Sequence, residues 1–223
     1  DSKRIFISQF LLNLMKTRED FGFSKREAEV FKKINTPAKI QDFLNSLKIN
    51  FEENGDTCMS PRMVLKSRKA HCIEGALLAA VALRFHGESP LIVDMEANDK
   101  DDDHVITVFK KVGFWGAIGK TNHAVLRYRE PIYRGVRELV MSFFHEYFSN
   151  SGNKTLRTFS MPVNLEKFDK FNWMTSEEDV WFIPEFLTKI PHKNILTRSQ
   201  IAGLRKADEI EIEMGKIAEF KKD

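Results

Sequence analysis

Cys72 stands in the stretch "SRKAHCIEGALLAAVALRFHG", residues 67–87, where a basic segment gives way to an apolar, alanine-rich run. Inside a packed core a free cysteine behaves as a small, inert hydrophobe. At a helix N-terminus the unpaired N–H groups and the helix dipole favour the thiolate, which is the nucleophilic form. A thiol that does chemistry also needs a base, and the base needs a group that orients it. His104 in "DDDHVITVF" has the type for the base, and Asn122 or His123 in "KTNHAVL" has the type for the orienting group. The chemistry such a set performs is acyl transfer. Cys72 attacks an amide or ester carbonyl, His104 shuttles the proton, Asn122 holds the imidazole, and the first N–H groups of the helix, that of Cys72 included, stabilise the oxyanion.

For these residues to meet, the chain must supply a helix that begins at Cys72 and strands that begin near His104 and Asn122. The pattern supplies both. The first third reads helical: Ser24 with Glu27 forms a capping-box signature before "SKREAEVFKKI", Thr36–Pro37 opens "AKIQDFLNSL", and Ser60–Pro61 opens "RMVLKS", with a turn-rich "ENGDTCMSP" between the last two. A helix follows from Cys72 to about His86, with Gly87 placed to cap its end. The period then changes. "PLIVDM" suits a buried strand, "HVITVFK" alternates, and "HAVLRY" reads as a third strand after the glycine-rich "KVGFWGAIGKTN". Adjacent strands lie about 5 Å apart, so residues at the heads of two paired strands can touch; the Cys72 helix is expected to pack on an antiparallel sheet with His104 on the strand and sheet face turned toward it. Helix returns in "RGVRELVMSFFHEYF"; "TSEEDVWFIPEFL" is broken by Pro184. A last helix starts at Thr197 with Gln200 as a capping box and carries Ile201, Leu204, Ile210 and Ile217. The expectation is one α+β domain with the sheet in the middle: helical residues 1–59, a core at 60–133, and a mostly helical part at 134–223.

Other side chains have plainer readings. His71 shapes the helix entry and raises the local positive potential, and Glu74 serves the helix start. Cys58 is a spare thiol in a turn. The stripe Phe143, Phe144, Tyr147, Phe148 reads as core, whereas Phe114 and Trp115, which read as a loop tip, are candidates to line a substrate cleft. "ANDKDDD" reads as a solvated acidic turn, since it lacks the glycine and distal glutamate of a calcium loop. No spacing of Cys or His suggests a metal site, and no cofactor is implied. The chain has 223 residues, 42% hydrophobic and 30% charged, with a formal net charge of +3, which is ordinary for a globular protein and too small to argue for nucleic acid. No run is long enough for a transmembrane helix, the opening residues lack a signal-peptide pattern, and two cysteines make no disulfide framework. A cytoplasmic protein with no membrane partner is the expectation.

The order of a Cys-bearing helix, a strand, a His-bearing strand and a further strand resembles the transglutaminase-like branch of the papain-like cysteine enzymes. The stretches that carry it are "HCIEGALLAAVALRFHGESPLIVDM", "DHVITVFKKVGFWGAIGK" and "TNHAVLRY", within residues 60–133, about a third of the chain. The wider stretch from "NTPAKIQDFLNSL" to "AHCIEGALLAA" resembles an uncharacterised bacterial group of that superfamily. The resemblance implies a Cys–His site at Cys72 and His104 acting on a peptide or amide-bearing substrate. The family's pattern has an aspartate a few residues after the strand tryptophan. Here Trp115 is followed by "GAIGKTN", so Asn122 is the nearest replacement. The alternative that this departure implies is a transglutaminase-like module that binds or scaffolds without turnover.

Overall fold

A computed structural model of the chain describes residues 21–221; the first twenty residues of the predicted N-terminal helical part lie outside them. Three helices begin where their caps predict. In α1 (Lys25–Lys33) the Ser24 Oγ accepts from Glu27 N at 3.3 Å while the Glu27 carboxylate accepts from Ser24 N at 2.6 Å. In α2 (Pro37–Asn45) and α3 (Pro61–Ser67) a hydroxyl from Thr36 or Ser60 caps a helix whose first residue is proline, where the missing N–H has no intrahelical partner anyway. Arg68 ends α3 in the left-handed region, φ +58°, and turns the chain into the short strand β2 (Lys69–Ala70), which pairs in parallel with β1 (Lys48–Ile49). One residue later α4 (Cys72–Phe85) starts. Its residues from Ile73 to Leu83 are all buried, because helices cover one side and the sheet the other, so it has no need of a polar face.

The sheet runs β6 (Arg129–Tyr133), β5 (Phe114–Ile118), β4 (His104–Lys111), β3 (Leu91–Glu96), β7 (Thr158–Ser160) and β9 (His192–Asn194), with β8 (Val163–Asn164) also on β3; every pairing is antiparallel. Ile92, Val105, Phe109 and Ile118 face α4 and join its core. Val93, Met95, Ile106 and Val108 face the other way, into a second core with α5 (Val136–Met141), Phe143, Phe144 and Tyr147. The Thr107 hydroxyl donates to Ala76 O of α4 at 2.6 Å, fixing helix on strand. A Cβ on Gly75 would lie 2.4 Å from the Lys120 Cβ, so glycine is required where the helix meets the chain beyond β5.

The α+β class holds, and four details differ from the sequence expectation. "HAVLRY" is not a strand: Leu126 takes a left-handed φ of +59°, and among the described residues the bridge made in that stretch, His123 to Ala218, goes to the C-terminal segment. The mostly helical C-terminal part contains β7, β8 and β9, each of two or three residues, too short to show a period. The last predicted helix is two short ones, α7 (Arg198–Ala202) and α8 (Glu209–Gly215), whose Ile201 and Ile210 stay exposed. Pro184 does not break a helix: it sits in the first turn of α6 (Phe182–Leu187), where no hydrogen bond is lost. Among the described residues no helix is long and apolar enough to cross a membrane.

Candidate active site

Cys72 is the first residue of α4, so its thiol sits at the positive end of a 14-residue helix dipole. What precedes it is built around Glu74, which is completely buried yet accepts five hydrogen bonds. They come from Thr57 Oγ1 (2.8 Å), Met59 N (3.0 Å), His71 N (2.9 Å) and, through both oxygens, from Asn50 Nδ2 (3.1 and 3.3 Å). The loop before α3 is thereby wrapped onto the helix start. His71 is held in the same cage: its Nε2–H donates to Thr57 O at 3.0 Å, with Glu52 and Glu74 carboxylate oxygens each at 3.4 Å. That leaves Nδ1 as the ring nitrogen the cage does not engage.

His104 is the first residue of β4 and is 7% exposed. Strand alternation puts Val105 and Thr107 on the face of α4 and His104 on the opposite one, with Ile106. The expectation that His104 projects from the sheet face covered by α4 is therefore corrected. It meets the thiol because helix and strand run the same way from this end. Counting back from the Ala76–Thr107 contact, Cys72 lies about 6 Å up the helix and His104 about 10 Å up the strand. Both reach the sheet margin, where the imidazole can approach from the other side.

Both imidazoles act on the thiol. Burial alone would raise the Cys72 pKa, but contact first with His104 and then with His71 outweighs it and lowers the thiol to about 5. Burial would likewise lower His71, but the Cys72 sulfur and the Glu74 charge hold it up at about 9. Cys72 and His71 thus form a thiolate–imidazolium pair near neutral pH. Among the described residues no well-aligned hydrogen bond reaches the sulfur. Resting catalytic contacts are often of this kind. Cys58 is the opposite case: burial, with Glu74 and Asp179 nearby, pushes its thiol far up.

A cavity of about 720 Å³ opens beside Cys72 and His104. Its walls are Asp99–Asp103, Lys120–His123 and Tyr147–Asn150, so the acidic turn is part of the site; Tyr147 Oη ties it down by donating to Asp102 O at 2.6 Å. Lys120 is buried, with Nζ donating to Leu47 O at 2.6 Å, and burial lowers its pKa to about 8. Asn122 and His123 line this cavity, but neither orients His104. The Asn122 amide accepts from Phe220 N and donates to Phe220 O, both at 2.9 Å, and His123 Nδ1 donates to Gly215 O at 2.8 Å. His104 Nε2 is buried with no hydrogen-bond partner among the described residues. Phe114 and Trp115 do not line the cavity. Trp115 pairs with Lys110 at the far end of β4, about 20 Å along the strand from His104. Phe143, Phe144 and Tyr147 are core as expected, whereas Phe148 lies on the cavity wall.

Sequence reasoning gave His71 the helix entry and a raised positive potential but not a place beside the thiol as its ion-pair partner. It had no means of finding the cluster of Asp94, Glu96 and His192, which come from β3 and β9 and have ligand atoms within 4.8 Å of one another. His192 Nδ1–H donates to Ile190 O at 3.0 Å and Nε2 lies 3.1 Å from Asp94 Oδ2, so the group joins β9 to β3 through its own contacts. No family model matches the chain, and no curated protein resembles it closely enough to stand as a relative.

Proposed function

We propose that the protein is a thiol-dependent acyl-transfer enzyme of transglutaminase-like type that hydrolyses a peptide or amide bond. The observation that carries this reading is a cysteine at a helix N-terminus, opening on a cavity, whose thiol is lowered to about 5 by two imidazoles. The Cys72 thiolate attacks the amide carbon, and N–H groups of the first turn of α4, which have no intrahelical acceptor, stabilise the oxyanion. The tetrahedral adduct collapses, the C–N bond breaks and the leaving amine takes a proton from an imidazolium. Water then attacks the thioester, an imidazole accepts its proton, and the acid leaves with the thiolate restored. His71, held at about 9, stays charged near neutral pH and serves as the counter-ion of the thiolate. The shuttling of protons falls to His104. The second reading is a binding module without turnover, favoured by the unpartnered His104 Nε2.

The test uses a 4-nitrophenyl ester as acyl donor, read by nitrophenolate release and intact mass. The expected result is a burst of one nitrophenolate per chain, an acyl adduct mapped to Cys72, then steady turnover; Cys72→Ala loses both. His104→Gln should retain the burst and lose the turnover. Adducts scattered over lysines, with no burst, would overturn the reading. A Cys72 adduct that never hydrolyses would favour the module.

A further inference from the structure

The stretch 122–124 was expected to pair with the sheet and instead pairs with the chain's own C-terminal segment. Ala124 N donates to Ile217 O at 3.0 Å and Glu219 N donates to Asn122 O at 2.8 Å, with His123 and Ala218 bridged in antiparallel register. The Asn122 side chain extends the ladder by one residue, satisfying both the N–H and the C=O of Phe220. These contacts are main chain on the side of the segment, so they read an extended backbone and not its side chains. Two further contacts select: Arg127 pairs with Glu219 at 3.1 Å, and the Lys120 ammonium lies 5.5 Å from the centre of the Phe220 ring.

The occupant is weakly held. Neither α7 nor α8 has a buried residue, and Ile217, Ala218 and Glu219 are all exposed. A segment with few buried contacts opens at low free-energy cost. It also lies at the mouth of the reactive cavity. Lys120, Thr121, Asn122 and His123 form one wall of the cavity that holds Cys72, and Ile212 and Gly215 of the strap close it.

We propose that the edge Asn122–Ala124 is a binding site for an extended polypeptide, and that Ile217–Phe220 occupies it until a substrate strand displaces it. The proposal rests on the acyl-transfer reading and names its substrate class: an unfolded or extended peptide segment that adds a strand to this edge. An acidic residue followed by an aromatic one satisfies Arg127 and Lys120. The strap competes at the high local concentration of a tethered ligand, about millimolar for short flexible connections, so a peptide added in trans binds poorly until the strap is loosened.

The probe is a fluorescein-labelled, amidated peptide of the chain's own residues 215–221, GKIAEFK, titrated by anisotropy into the full chain carrying Cys72→Ala. Binding is then independent of chemistry. Adding Phe220→Ala, which removes the ring over Lys120, should tighten peptide binding about tenfold, and adding Asn122→Ala as well should abolish it. Hydrogen exchange on the unloosened chain supplies the second measurement, should Phe220→Ala impair folding. Excess peptide should strip protection from the Glu219 and Phe220 amides while the Ala124 amide stays protected. Peptide that binds without changing those amides, or equally well without the Asn122 side chain, overturns the proposal, as does absence of binding to the loosened chain. A bound peptide with no acylation of Cys72 in the parent chain would leave the edge standing and remove the enzyme.

Discussion

The pH dependence of Cys72 alkylation can be worked from the site. A thiol of ordinary pKa, ~8.5, is only ~0.3% thiolate at about pH 6. One lowered to about 5 is almost fully ionised there, a gain of ~300-fold in the reactive form. Nucleophilicity falls with basicity along a Brønsted slope of ~0.45, so the drop in pKa removes a factor of ~40. The net expectation with iodoacetamide is Cys72 reacting about sevenfold faster than free cysteine near pH 6 and about three- to fourfold slower near pH 7.5. Crossing curves are the signature, since neither burial nor simple exposure produces them. Cys58, whose thiol is pushed far up, should stay unlabelled throughout. Quenched time points resolved by peptide mass spectrometry give both rates. His104→Gln should move the Cys72 inflection up by more than about one unit, because that imidazole is the largest lowering influence; His71→Gln should move it less. A wild-type inflection near ~8.5, or one left in place by both substitutions, would refute the electrostatic argument.

Glu74→Gln should destabilise the fold by about 3 kcal/mol, read by urea melts, because a buried five-bond acceptor becomes part donor; it should also raise the Cys72 inflection, since His71 loses the charge that keeps it protonated. Gly75→Ala should cost about 1–3 kcal/mol through its clash with Lys120, and an unchanged melting temperature would mean the helix can move off the sheet. Burial raises the Asp94 pKa to about 6 from its ordinary 3.8, so the folded state holds that proton more tightly. Stability from this group is therefore fully present below 3.8 and is lost as pH rises through about 6. Melts of wild type against Asp94→Asn across that window should diverge as pH rises, and parallel curves would contradict the burial. For turnover, the acid limb should follow Cys72 near 5 and the alkaline limb His71 near 9, as macroscopic values of the pair; His71→Gln should abolish the limb near 9 and raise the acid limb, and a profile unchanged by it would contradict the pairing.

What could be read without coordinates was local. The caps at Ser24, Thr36, Ser60 and Thr197 each act through the next three residues, so four helix starts fall where the sequence puts them. Cys72 at a helix start and His104 at a strand start follow from the same kind of signal. Phe114 and Trp115 were misjudged because a glycine-flanked aromatic pair looks alike at either end of a hairpin; only the register, Lys110 opposite Trp115, sends it away from the cavity. Asn122 was misjudged for a similar reason. Its type suits an orienting amide, but its partner lies 98 residues away in a segment whose pairing carries no hydrophobic period.

The two histidines show where residue type stops being informative and geometry takes over. His71 is one residue from the thiol and His104 is 32 away, yet chemistry divides them by surroundings. His71 has Glu74, Glu52 and a carbonyl around Nε2, an environment that holds a proton and makes the ring a fixed cation. His104 has a buried Nε2 with no hydrogen-bond partner among the described residues and contacts the sulfur from the far side of the sheet margin. In the proposed reaction His71 holds the counter-charge beside the thiolate, and His104, the stronger of the two influences on the thiol, passes the proton to the leaving amine. The thiolate is supported from two sides, by His104 across the sheet margin and by His71 at its own helix start.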